Sequence, residues 1–136
     1  MEFVNLTRHT GIGSNCYWLS VGGKNIILDA GSDPKVDGIG STPDLRPLPP
    51  GTVDAIIITH AHQDHIGSLP VVTRQEQRCP VFMTPATAAI ATIMLHNSVN
   101  VMMRQREELG LMEYPLYTHR SVDLCAQSWV HCGLRQ

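Results

Sequence analysis

The amino-acid sequence predicts an α/β fold of the α+β kind, in which helices cover a mixed β-sheet. Three observations support this prediction. Short apolar segments, two of them joined by a Gly-Gly pair, occupy the first third of the chain. Residues 53–58 (VDAIII) form a nearly continuous apolar run, as expected of a strand covered on both faces. Two helical patterns then follow residues 84 and 118.

The composition is that of one folded domain. The chain has 136 residues, of which 43% are hydrophobic and 16% charged, and its net charge is −2. The absence of a basic excess means that charge alone does not indicate nucleic acid, although a local cleft could still be positive. The four cysteines form no C-x-x-C pair, and three of them (Cys16, Cys79 and Cys125) lie in apolar segments, where a buried, reduced thiol is expected. No apolar run approaches 18 residues and no signal peptide is visible, so we expect a cytoplasmic protein, or a nuclear one in a eukaryote, without membrane contact.

The first third of the chain predicts three strands, at residues 3–6, 16–21 and 25–28. Gly22-Gly23 is a two-residue hairpin signal between the second and third strands. Residues 11–13 (GIG) are interpreted as a turn, since they precede a strand and not a helix. The region 32–52 contains five prolines and three glycines, which predicts a loop.

The second part alternates strands and helices. After the strand at 53–58 we predict a short helix over 66–75 and a strand over 80–83. Thr84 and Pro85 are typical of an N-cap and a first helical position, and Gly110 is a plausible stop for that long helix. A last helix is predicted after Thr118, with apolar residues at helical spacing. These are Val122, Cys125, Ala126, Trp129 and Val130.

Residues 59–70 (THAHQDHIGSLP) place three of the seven histidines and one carboxylate within six positions. In an extended segment leaving a strand, His60 and His62 point to the same side, so both imidazoles can reach one metal ion. Asp64 and His65 follow past a turn and can serve a second ion. Imidazole and carboxylate ligands suit zinc or another borderline divalent metal better than calcium. The pattern favours a metal centre over a surface loop with incidental histidines.

The other histidines and Asp29 carry weaker signals. His9, His96, His119 and His131 are interpreted as surface or capping residues and not as ligands. Asp29 ends an apolar strand, where a carboxylate needs a partner. It could orient a metal-bound histidine by accepting a hydrogen bond from the second ring nitrogen, or it could cap the turn at Ala30-Gly31.

Residues 59–70 resemble the metal-binding signature of the metallo-β-lactamase superfamily. Residues 13–19 (GSNCYWL) and 26–31 (IILDAG) resemble the opening hairpin and the aspartate motif of that superfamily. Within it, the chain is similar to the β-CASP-like RNA-processing nucleases. The residues that carry this likeness are the THAHxDHIGxLP form, TPAT at 84–87 and YTHRSV at 117–122.

The resemblance implies an αββα sandwich and a hydrolase with two zinc ions. It implies that His60 and His62 bind the first ion, that Asp64 and His65 bind the second, and that Asp29 is an orienting residue. Asp64 and Asp29 are accordingly the candidate catalytic residues. The resemblance also implies an RNA substrate, cleaved by a zinc-activated hydroxide.

The sequence departs from the family's pattern in its second half. A later histidine in a Gly-His context, a bridging aspartate and a further histidine are expected, and His131, followed by Cys-Gly, does not match them. We therefore expect residues 1–136 to be a partial domain, the N-terminal half of the sandwich, truncated before the remaining ligands. An uncovered sheet face would then favour self-association.

Three functions remain open from the sequence. The first is RNA phosphodiester cleavage. The second is hydrolysis of a thioester or another small ester by the same kind of centre, which substrate choice would distinguish. The third is an inactive metal-binding or interaction fragment.

Overall fold

The β-sheet runs through the chain in sequence order. The computed structural model describes residues 1–8 and 13–132, and within these ranges the sheet has six strands in the order β1-β2-β3-β4-β5-β6. The first three strands pair antiparallel, and β3 to β6 pair parallel, so the predicted mixed α/β fold is confirmed. His9 and most of the turn predicted at 11–13 lie outside the described residues. The strands are Glu2–Asn5, Tyr17–Val21, Lys24–Leu28, Ala55–Ile57, Val81–Met83 and Trp129–His131.

The β2–β3 hairpin turns at the predicted glycine pair. Gly22 and Gly23 have φ values of 57° and 77°, the left-handed region that a two-residue type I′ turn requires at both positions. Val21 pairs with Lys24 directly beside the turn. The Gly-Gly pair therefore sets the register of β2 against β3.

Four α-helices are found in the described part of the chain. One predicted helix, at 66–75, is instead two: α1 begins at Gln63, and α2 begins at Leu69. Pro70 explains the break, because it has no N–H to donate to the carbonyl of Ile66 and is tolerated only in the first turn of a new helix. The helices are α1 (Gln63–Ile66), α2 (Leu69–Gln75), α3 (Pro85–Leu109) and α4 (His119–Ala126), with a short 3₁₀ turn at Gly38–Ser41.

The long helix α3 begins and ends at the predicted residues. The Thr84 hydroxyl accepts a hydrogen bond from the backbone N–H of Thr87, and Gly110 caps the end with a φ of 67°. By length and hydropathy this helix could also cross a membrane, although one third of its most apolar stretch is buried in the fold. A core helix of a soluble protein has the same length and composition. Its buried face, which includes Ala91, Leu95 and Val99, belongs to the hydrophobic core.

The two faces of the sheet differ in how they are covered. Directly paired residues share a face. Ile27, Ile56 and Val81, which pair with one another across the sheet, are completely buried and belong to one core with residues of the helices. The opposite face carries Phe3 and Ile57, which are 62% and 38% exposed. One apolar face of the sheet is therefore largely uncovered. The rows on that face are Asn5-Tyr17-Leu28-Ile57-Phe82-Val130 and Phe3-Leu19-Ile26-Ala55.

The position predicted for the C-terminal end of the last helix was wrong. Helix α4 stops at Ala126, and Trp129–His131 form β6, which pairs with β5. The backbone N–H of Val81 donates to the Ser128 carbonyl at 3.0 Å, which starts this pairing. The aromatic and β-branched residues of this segment favour a strand. The edge of β5 offers hydrogen-bond partners to their backbone groups, which would face solvent in a last helical turn.

Candidate metal centre

The candidate centre lies at the carboxyl ends of two parallel strands. His60 follows β4, and His62 has an extended backbone (φ −76°, ψ 149°) immediately before α1. Asp64 and His65 lie in α1 itself. Asp29 follows the neighbouring strand β3, with which β4 pairs in parallel. Since parallel strands end at the same edge of a sheet, this topology brings Asp29 to the histidine segment.

The four side chains of the histidine motif lie together. Ligand atoms of His60, His62 and Asp64 are all within 4.8 Å of one another. His65 completes the group, with its Nε2 3.6 Å from Oδ2 of Asp64 and its ring centroid 4.0 Å from that of His60. The rings of His60 and His62 meet edge to face, with their centroids 4.7 Å apart.

This set of ligand atoms fits a divalent metal. Imidazole nitrogens and a carboxylate are the ligands of zinc and of similar borderline ions, and these ligands converge here. The side chains of Asp64 and His65 are 23% and 22% exposed, so the centre is open to solvent on one side. A ligand or substrate can reach it from that side.

Asp29 fixes the orientation of the His65 ring. Its side chain is 5% exposed, and Oδ2 lies 2.8 Å from Nδ1 of His65. The other oxygen accepts from the backbone N–H of Thr59 at 2.8 Å, and the Thr59 hydroxyl donates to the same carboxylate. An ionised carboxylate only accepts, so Nδ1 carries the proton and Nε2 keeps its lone pair on the side of Asp64. Of the two interpretations of Asp29, the geometry fits the one that orients a histidine.

Asn15 is a site residue that the sequence interpretation did not single out. Its side-chain amide donates to the backbone carbonyl of Asp64 at 3.0 Å and lies 3.4 Å from the Oδ2 atom. The hydroxyl of Tyr17 donates to the Asn15 oxygen at 3.0 Å, which fixes the amide orientation. The only sequence signal for Asn15 was its position between Gly13 and Cys16, in a segment that was interpreted only as part of a hairpin.

Gly31 allows the backbone to pack closely at the centre. A Cβ atom there would lie 1.7 Å from the carbonyl oxygen of Asp64 and 2.9 Å from the nitrogen of Asn15. The backbone N–H of Gly31 donates to Asn15, and that of Asn15 donates to Asp64, each at 3.0 Å. Any side chain at position 31 would therefore push α1 away from the segment that carries Asn15.

Two buried groups near the centre, the Cys16 thiol and the Tyr117 hydroxyl, have raised pKa values. Burial, and then the charge of Asp29, raise the pKa of the Cys16 thiol to about 12. Burial also raises the pKa of Tyr117, whose hydroxyl donates to the carbonyl of Gly67 at 2.7 Å. Both groups therefore stay protonated at neutral pH. Tyr117 ties the junction between α1 and α2 to the segment that precedes α4.

Comparison with known proteins points to one family. The family model described as the metallo-beta-lactamase superfamily matches residues 9–88. Endoribonuclease ysh-1 of Neurospora crassa is 39% identical over 102 residues, which are 74% of this chain and 12% of that protein. Cleavage and polyadenylation specificity factor subunit 3-I of Arabidopsis thaliana is 37% identical over 91 residues, 66% of this chain and 13% of that protein. The chain thus spans about one eighth of the length of these relatives.

A solved structure agrees with the fold. An archaeal metallo-beta-lactamase superfamily protein from Sulfolobus tokodaii aligns with a TM-score of 0.55 at 17% identity. The alignment covers 96% of this chain and 48% of that protein. At this identity the likeness concerns the arrangement of strands and helices.

Proposed function

Because this chain belongs to the metallo-β-lactamase superfamily, we propose that it is part of a zinc-dependent hydrolase that cleaves RNA, of the β-CASP-like branch. The observation that carries the proposal is the group of His60, His62, Asp64 and His65 at the end of β4, with Asp29 beneath it. The endoribonuclease names of relatives that are 36–39% identical support RNA as the substrate.

In this proposal the four motif residues hold two ions. His60 and His62 bind the first ion, and Asp64 and His65 bind the second. This leaves two described protein ligands for each ion, fewer than the three that a catalytic zinc site usually has. The remaining ligands that the family resemblance implies would complete the centre.

The residues of this chain prepare the centre for its ions. Asp29 keeps the proton of His65 on Nδ1, so Nε2 is available as a ligand. Thr59 holds Asp29 through its backbone N–H and its hydroxyl. Asn15 holds the backbone of Asp64 and lies near its carboxylate. Bound divalent ions would supply a hydroxide at neutral pH and would neutralise charge that develops on a phosphoryl oxygen.

The test is an assay of the protein, expressed from its whole reading frame, with zinc or manganese. Labelled single-stranded RNA and a small thioester are offered as substrates. We expect cleavage of RNA that is lost in His62→Ala and retained in His131→Ala, since His131 lies in β6 outside the histidine motif. Thioester turnover without RNA cleavage would move the activity to another branch of the superfamily. Lack of both activities in a metal-loaded protein would contradict the proposal.

A further inference from the structure

Two histidines that are far apart in sequence meet between α3 and α4. The Nδ1 atoms of His96 and His119 are 2.8 Å apart. The ring planes are inclined by 20°, and their centroids are 5.0 Å apart. An N–N distance of 2.8 Å is that of a hydrogen bond and is too short for two rings stacked face to face. The rings therefore meet edge to edge through their Nδ1 atoms.

The other nitrogen of each ring has an oxygen partner on the opposite helix. Nε2 of His96 lies 3.1 Å from Oδ1 of Asp123, and Nε2 of His119 lies 3.0 Å from Oδ1 of Asn100. Each helix thus supplies a histidine and, four residues later on the same helical face, an oxygen for the histidine of its neighbour. The arrangement is reciprocal between α3 and α4.

These partners determine where the ring protons lie. Carboxylate and amide oxygens accept hydrogen bonds, so the Nε2 atoms of His96 and His119 donate. A neutral imidazole that carries its proton on Nε2 has a lone pair on Nδ1. Two lone pairs therefore face each other across 2.8 Å. Such a pair is repulsive unless a proton or a metal ion lies between the nitrogens.

We propose that His96 and His119 bind a divalent transition-metal ion through their Nδ1 atoms. Asp123 and Asn100 hold the rings through the second nitrogens, which is the usual arrangement around metal-bound histidines. Nickel, copper and zinc suit two imidazole ligands, with water in the other positions. This site is separate from the histidine motif after β4 and does not depend on the proposed hydrolase activity.

The geometry requires only a small adjustment. Two imidazole nitrogens bonded to one tetrahedral ion at about 2.0–2.1 Å lie roughly 3.3 Å apart. The nitrogens would have to separate by about half an ångström from their present distance. His119 is exposed and the His96 side chain is 30% exposed, so both rings can turn and water can reach the ion. Binding would link the middle of α3 to the first turn of α4.

The experiment is a calorimetric titration of the whole chain with Ni²⁺. We expect His96→Gln and His119→Gln each to bind one equivalent fewer than the unmodified protein. The matched control, His131→Gln, should keep the full number. Ions bound at His60 and its neighbours are present in every variant, so the difference counts the new site. Equal numbers of ions in all four proteins would overturn the proposal.

Variants of Asn100 test the arrangement of the site. Asn100→Asp offers only oxygen acceptors to His119 and should tighten nickel binding about tenfold, whereas Asn100→Leu should weaken it by about the same factor. If the amide of Asn100 instead donates to His119, the nitrogens need no ion and no equivalent is lost in the histidine variants. One nickel ion bound per two chains, together with dimers in sedimentation, would mean that the ion bridges two chains. That result would also contradict a site within one chain.

Discussion

Asp29 shows how one buried carboxylate organises the histidine motif. It contacts His65 and Thr59, and its own φ of 62° is in the left-handed region, which aspartate tolerates better than most residues. That conformation turns the chain after β3 and places the carboxylate under the ring of His65. The strained turn and the oriented histidine therefore depend on the same residue.

Replacing Asp29 by Asn should weaken zinc binding. The amide can still accept from Nδ1, but it loses the negative charge that makes Nε2 a better ligand, and a loss of about tenfold or more in affinity is expected. Zinc titration by calorimetry measures the change. Asp37→Asn is the control, since Asp37 is an exposed carboxylate in the loop before the 3₁₀ turn. Equal affinity of both variants would contradict a role for Asp29.

Cys16 should make the fold sensitive to alkaline pH. Its thiol has a pKa of about 12 in the folded chain, against an ordinary value of 9.0, because it is buried and close to Asp29. The unfolded chain loses this proton first, so the free energy of unfolding should fall as pH rises from 9 toward 12. Urea unfolding at about pH 8 and about pH 10.5 measures the fall. We expect a smaller fall in Cys16→Ala, and an unchanged one in Cys132→Ala, whose thiol is exposed.

The short helices α1 and α2 depend on contacts with later parts of the chain. Helix α1 has only four residues, too few to be stable alone. Tyr117 donates to the carbonyl of Gly67 between the two helices, and Ser98 of α3 donates to the Gln63 side chain. Packing against α3 and the segment before α4 therefore holds the helix that carries Asp64 and His65.

Tyr117→Phe should destabilise this junction. The change removes the donor to a buried carbonyl and leaves that oxygen without its partner, at a cost of about 1–3 kcal/mol. Urea unfolding measures the cost. Metal affinity should fall as well, because α1 then loses a contact that holds its position. Unchanged stability and unchanged zinc affinity in this variant would show that the other contacts are sufficient to hold α1 in place.

The molecule as a whole has one covered and one uncovered sheet face. The helices bury the row of Ile27, Ile56 and Val81, while Phe3, Ile57 and Val130 remain 38–62% exposed on the other side. Two packed sheets bury their inner faces against each other, so this side has the character expected of the inner face of a sandwich. An apolar surface of this kind favours association.

A charge on that face should reduce self-association of residues 1–136. Phe3→Lys places a charge on the uncovered face, and association through that face would have to bury the charge. Sedimentation velocity should show more monomer than in the unmodified chain. Ile93→Lys is the control, because Ile93 is exposed to a similar degree on α3. A monomeric unmodified chain, or an equal effect of both changes, would exclude association through the sheet.

Residues 1–136 alone should hold zinc weakly. Each ion has two described ligands in our proposal, and a catalytic zinc site usually has three. Dialysis followed by metal analysis should leave less than two zinc ions per chain. Two ions held tightly at the histidine motif would mean that His60, His62, Asp64 and His65 suffice.

The sequence determined the features that depend on near neighbours. The hairpin at Gly22-Gly23, the N-cap at Thr84, the end at Gly110 and the clustered histidines of 59–65 follow from local conformational preference and from spacing along a strand. These features could be predicted because each depends on a few consecutive residues.

Only the tertiary structure decided the features that join distant segments. Trp129 and Val130 had helical spacing, yet they form β6, because the edge of β5 lies within reach. Asn15 meets Asp64, and His96 meets His119, across 49 and 23 positions of the chain. No local pattern encodes such pairs, since the energy that fixes them comes from packing helices and strands into one core.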